Sequence, residues 1–164
     1  MAKIIILRGN SGSGKSTVAL AIQEQLVPHP VLIEHDHFRR KILKEHEGPD
    51  IINDELIFRT VQFALENNRD VIIEGIMWIE RYKKLFDRIL EIHPSENYFY
   101  YFDIPFEETL RRHATKKNTD FGENEMRLWF KENNESGYPG EVIIPATNSF
   151  DDTVSQIITE VNAS

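Results

Sequence analysis

Apolar residues fall along the chain in two rhythms. Short runs that are apolar at almost every position occur at 3–7, 31–34, 71–74, 97–103 and 142–144. Runs of this kind predict strands buried on both faces, as in a parallel sheet. Between them, apolar positions recur at helical spacing. Val18, Ala19, Ile22 and Leu26 share one side of a helix predicted over 15–26, and Leu56, Ile57, Val61 and Ala64 do the same over 54–66. Further helices are predicted over 38–45, 79–92, 106–113, 124–133 and 152–161. Gly48-Pro49 stops the second helix and His93-Pro94 ends the one over 79–92. Asn53 or Asp54 is the expected cap of the third helix, and Asp151 or Asp152 that of the last. Strand and helix alternate five times, which implies one parallel sheet with helices on its faces. Ligands on such sheets bind at the carboxyl ends of the strands.

Length and composition narrow this picture. The 164 residues suit a single α/β domain over 1–164, and 40% hydrophobic residues supply a core. The chain has no cysteine, which excludes disulfides, thiolate metal sites and cysteine nucleophiles. The apolar run at 4–7 is too short for a secretory segment, and no stretch approaches a membrane span. The expectation is a cytoplasmic protein, a monomer or weak dimer without a membrane partner. A net charge of −8 argues against a large nucleic-acid footprint, although Arg39, Arg40, Lys41 and Lys44 form a local basic cluster.

Candidate chemistry concentrates at the strand ends. After the first strand, Gly9-Asn10-Ser11-Gly12-Ser13-Gly14-Lys15-Ser16-Thr17 matches G-x-x-x-x-G-K-[ST] and runs into an amphipathic helix. Glycines let backbone N–H groups turn inward around a phosphate, and the helix directs its positive end at it. Lys15 suits the β- and γ-phosphates of a nucleoside triphosphate, the Ser16 hydroxyl suits Mg²⁺, and Thr17 suits a secondary phosphate contact. The guanine-reading Asn-Lys-x-Asp is absent, as is an Asp-x-x-Gly sensor, which argues against a switch GTPase.

The second strand runs into His35-Asp36-His37-Phe38-Arg39-Arg40. Asp36 is either a base opposite the phosphate cradle or a helix cap. His35 and His37 flank it, but two histidines alone do not make a zinc site. The third strand ends at Glu74-Gly75-Ile76-Met77-Trp78, where Met77 and Trp78 are pocket wall or core. Further on lies a basic stretch with Arg111, Arg112, Lys116 and Lys117.

Taken together, Gly9 to Thr17 and Asp36-His37-Phe38-Arg39 resemble the small P-loop kinases that include polynucleotide 5′-hydroxyl kinase, chloramphenicol phosphotransferase, gluconate kinase and the zeta toxins. The resemblance implies a five-stranded parallel sheet in the order 2-3-1-4-5, with a helical lid over about 111–135. It implies ATP and Mg²⁺ as cofactors and transfer of the γ-phosphate to a hydroxyl of a small-molecule acceptor. Asp36 would be the base and Arg39 the residue holding the acceptor. Glu74 would order the metal's water shell. Arg112 would pack on the adenine, and Lys116 would reach the phosphates where the family carries arginine; Arg111, Lys117 and Arg127 are possible substitutes. The loop 144–149 would lie against the base. A kinase of polynucleotide or nucleoside 5′-hydroxyls, and an ATP-binding regulatory module without an acceptor, are the alternatives.

Overall fold

A computed structural model describes residues 1–46, 52–117 and 119–163. Its centre is a five-stranded parallel sheet in the order β2-β3-β1-β4-β5. The strands are β1 Ile4–Gly9, β2 Val31–Glu34, β3 Val71–Gly75, β4 Asn97–Asp103 and β5 Val142–Pro145. The helices are α1 Lys15–Gln25, α2 His35–His37, α3 Ile52–Glu66, α4 Ile79–Ile92, α5 Phe106–His113, α6 Glu123–Trp129 and α7 Phe150–Asn162. The predicted sheet order is thus the observed one.

The unbroken apolar runs have a direct cause. Side chains alternate across a strand, and both faces of this sheet are covered. Ile4 and Ile6 of β1 pack with Ile57, Val61, Phe86 and Ile89 of α3 and α4. Ile5 and Leu7 pack on the other face with Val18, Ile22, Val154 and Ile157 of α1 and α7. All four β1 residues are fully buried. Each such side chain contributes roughly 1.5–3 kcal/mol relative to an exposed one.

Four boundaries differ from expectation, each for a local reason. The helix predicted over 38–45 is instead the turn α2 followed by a π-helical segment, Phe38–Ile42; Gly48-Pro49 lies outside the described residues. Asn53 is not the cap of α3. It is buried inside the first turn, and its amide donates to the His35 carbonyl at 3.4 Å. Glu45 does the capping from outside, accepting from the amides of Ile52 and Asn53. The cap of α7 is Ser149, whose Oγ accepts from the Asp152 amide at 3.1 Å; the expected aspartates sit in the first turn instead, where they favour the helix dipole. Finally, α6 ends at Trp129 rather than 133. Phe130 is extended, and the next residue is held by Asn10.

Candidate active site

The loop from Gly9 to Lys15 is folded by glycine and by close packing. Gly12 and Gly14 have φ of +78° and +93°, where side chains are strained. A Cβ on Gly12 would also stand 2.6 Å from the Thr109 carbonyl of α5. Gly9 lies so close to β4 that a Cβ would meet Phe102 at 2.8 Å. Gly14 is the N-cap of α1, and no acidic side chain occupies that helix's first turn. The helix therefore presents unneutralised N–H groups, as an anion requires.

Lys15 is buried, and its Nζ donates to the Asn10 carbonyl at 3.2 Å. Burial pushes its pKa down, opposed first by Glu74. Lys116 is near enough to lower it further, and Asp36 near enough to raise it. One lysine thus feels charges from the ends of β2 and β3 and from the basic segment after α5. The Ser16 hydroxyl donates to Glu74 Oε2 at 3.0 Å. Glu74 is itself buried, which pushes its pKa up against the pull of Lys15 and Ser16.

Two cavities meet at this loop. The first, about 510 Å³, is lined by Ser11, Lys15, Ser16, Asp36, Arg39 and Glu74, with Met77 and Trp78 among its walls. The second, about 630 Å³, is lined by Gly12 to Gly14, Thr17, Arg112 and the loop from Ile144 to Ser149. Gly12 and Lys116 border both.

Most predicted site residues therefore converge. Asp36 does not cap α2, whose N-cap is Glu34. Its exposed carboxylate accepts from Arg39 at 2.9 Å and Arg40 at 3.4 Å. Arg112 reaches back to donate to the Ser13 carbonyl at 2.8 Å and pairs with Glu108 at 2.7 Å. Of the alternative lid cations, Arg111 pairs with Glu108 and Arg127 with Glu123. Asn10 stands apart. Its side chain turns away from the cradle and bonds both main-chain groups of Lys131, at 2.8 and 3.0 Å.

Two residues at the site owe their character to burial, which the sequence does not show. His35 is buried edge-on to Tyr82, with ring centroids 4.9 Å apart. Burial pushes its pKa down to about 4, so the ring is neutral near pH 7. Arg8 is fully buried in β1. It donates to the Met77 carbonyl at 3.0 Å and to Asn134 Oδ1 at 2.9 Å, and pairs with Glu141 at 3.2 Å. An arginine inside an otherwise apolar strand was the one available clue to that network.

The donor set suits the expected metal and nucleotide. Ser16 and Glu74 present two oxygens side by side, the hard ligands Mg²⁺ prefers. The buried Ser13 hydroxyl, within the glycine-rich loop, has no hydrogen-bond partner among the described residues.

A glycine-rich cradle between β1 and α1, on a parallel 2-3-1-4-5 sheet, defines a nucleotide-binding P-loop protein with the kinase-type fold. A family model described as AAA domain matches residues 4–130, and the chain belongs to that family. Among solved structures it resembles a sugar kinase from Janibacter sp. HTCC2649, with TM-score 0.70 and 15% identity over 99% of this chain and 95% of that one. The APS kinase of Mycobacterium tuberculosis, in complex with AMPPNP and APS, matches with TM-score 0.69 and 17% identity over 99% and 98%. A gluconokinase from Sinorhizobium meliloti 1021 matches with TM-score 0.66 and 15% identity over 98% and 92%. No curated protein sequence matches the chain.

Proposed function

We propose that the protein is an ATP-dependent kinase that transfers the γ-phosphate to a hydroxyl of a small-molecule acceptor. The observation that carries this is the pair of cavities joined at Gly12 and Lys116, with the cradle on one side and Asp36 on the other. A nucleotide-binding module needs only the cavity bordered by Gly12 to Gly14 and the loop from Ile144 to Ser149. The structural relatives with kinase names support the same reading.

In this reading ATP lies in the cavity bordered by Gly12 to Gly14, with its base toward the loop from Ile144 to Ser149. Arg112 covers the loop at Ser13. Lys15 and Lys116 stabilise charge that develops on the transferring group. Ser16, oriented by Glu74, would hold Mg²⁺, which would neutralise phosphate charge there. Asp36 accepts the proton of the attacking hydroxyl, which requires that carboxylate within hydrogen-bond reach of the acceptor. Arg39 and Arg40 hold the Asp36 carboxylate in position until then. The segment carrying Lys116, Phe121 and Trp129 acts as the lid that excludes water.

The experiment is incubation with labelled ATP and pooled alcohols, with mass spectrometry for products heavier by one HPO₃ group. Phosphorylated small molecules are the expected outcome. ATP hydrolysis indifferent to every added alcohol would leave the regulatory-module reading. Products formed only with oligonucleotides would move the acceptor to a nucleic-acid end, recognised through Arg39, Arg40 and Lys41.

A further inference from the structure

The acceptor-side cavity differs in charge from the molecule around it. Lys15, Arg39, Arg40, Arg81 and Lys116 line it against the carboxylates of Asp36 and Glu74, five cations to two, while the whole chain carries −8. His35 also lines it but is neutral near pH 7 and changes nothing in that balance. Lys15 and Lys116 belong to the phosphate side in the reading above, and Arg39 and Arg40 are engaged by Asp36.

Arg81 is different. It is half-buried in the first turn of α4, and no carboxylate among the described residues pairs with it. Asp54 feels its charge without forming an ion pair. Its guanidinium lies 4.9 Å from the centre of the Tyr82 ring, and its Nε is buried without a hydrogen-bond partner among the described residues. A half-buried cation without a counter-ion is costly, and an anionic ligand repays that cost. Arginine also matches the geometry of a planar or tetrahedral oxyanion better than lysine does.

The walls beside Arg81 are aromatic. Trp78 and Tyr82 come from the start of α4, and Phe121 and Trp129 from the lid segment, where their rings meet edge to face at 5.0 Å. Such surfaces favour a ring or other flat apolar body.

We infer that Arg81 is an acceptor-binding residue and that the acceptor is an alcohol bearing both an oxyanion and a planar ring. The inference rests on the kinase reading for the word acceptor, but the binding site it describes can be tested without any transfer.

Both tryptophans of the chain line this cavity, so their fluorescence reports its occupancy. The full-length protein, saturated with AMPPNP and Mg²⁺ to fill the nucleotide side, is titrated with phenyl phosphate, phenyl sulfate, benzoate and the neutral benzyl alcohol. At least one oxyanion is expected to give a saturable change at concentrations tenfold or more below benzyl alcohol, and which one does so identifies the anion. Arg81→Ala should weaken that probe tenfold or more, and Arg81→Lys should recover part of the loss. AMPPNP affinity, measured separately, should stay unchanged in both variants, which shows that the fold and the nucleotide side are intact. Equal binding of neutral and anionic probes, or wild-type binding by Arg81→Ala, overturns the inference. Saturable oxyanion binding in a protein that phosphorylates no alcohol would instead overturn the kinase reading and leave the site standing.

Discussion

At the scale of single residues, His35 and Asp36 are neighbours with opposite environments. Asp36 is more than half exposed, so its ion pairs add little to stability. Asp36→Asn should therefore leave thermal stability and ATP-analogue affinity near wild type. Phosphoryl transfer should fall by about 10²–10⁴-fold, the usual contribution of a general base. Unchanged transfer, measured on the best acceptor from the screen, would remove Asp36 from the chemistry. His35 is buried, and its folded pKa of about 4 lies below the unfolded value of 6.5. Between those values the unfolded chain binds a proton that the folded chain refuses, so stability falls as the solution is acidified from pH 6.5 towards 4. Between pH 7 and 5 the loss is about 2 kcal/mol. Urea titrations at both pH values should show it in wild type and not in His35→Asn. A loss of the same size in that variant would assign the acid sensitivity to other groups.

At the scale of elements, the fold joins the walls of its two cavities through segments far apart in sequence. Asn10 and Lys131 are 121 residues apart, yet two hydrogen bonds hold the chain after α6 to the glycine-rich loop. The Arg8 side chain ties β1 to the β3–α4 connection and to Asn134, and Asn134 in turn accepts from the Ile79 amide at 3.1 Å. Met77, in that connection, has a φ of +38°, a strained value for a side chain with a Cβ. Its carbonyl is held by Arg8, which offsets part of that strain. The chain after α6 and the β3–α4 connection are thus anchored to the end of the same strand. Asn10→Ala removes the anchor of the segment after α6, the lid of the proposed kinase, without touching a cradle N–H. It should lower transfer more than nucleotide affinity: kcat down about tenfold, with KM for ATP changed less than threefold, as for a displaced positioning group. A rise in KM for ATP with unchanged kcat would place Asn10 in nucleotide binding instead.

At the scale of the whole molecule, the sheet sets where ligands sit. The two cavities both open at the carboxyl ends of the strands, between α1, the end of β2 and the connections after β3, β4 and β5. A ligand there bridges elements from most of the chain and should stabilise the native state as a unit. AMPPNP with Mg²⁺ at a hundred times its dissociation constant should add about 2.7 kcal/mol to unfolding free energy. Withdrawing the metal with EDTA should shrink that gain, because Ser16 and Glu74 then face the phosphates without a cation between them. An identical thermal shift with and without EDTA would count against a metal at Ser16.

The amino-acid order by itself determined the alternation of strand and helix, the parallel sheet and the phosphate cradle. The reason is that these depend on local patterns: apolar runs, glycines at fixed spacing and a lysine after them. Asp36 and Glu74 were legible as strand-end carboxylates for the same reason. The helix boundaries at α3, α6 and α7 were not, because each was set by a partner outside the helix or by a serine beside it: Glu45, Asn10 and Ser149. Only the tertiary structure decided that Asn10 faces Lys131, that His35 is neutral, and that Arg81 lines the cavity beside Asp36 with no ion-pair partner among the described residues. Those properties depend on burial and on neighbours distant in sequence, and a one-dimensional pattern carries neither.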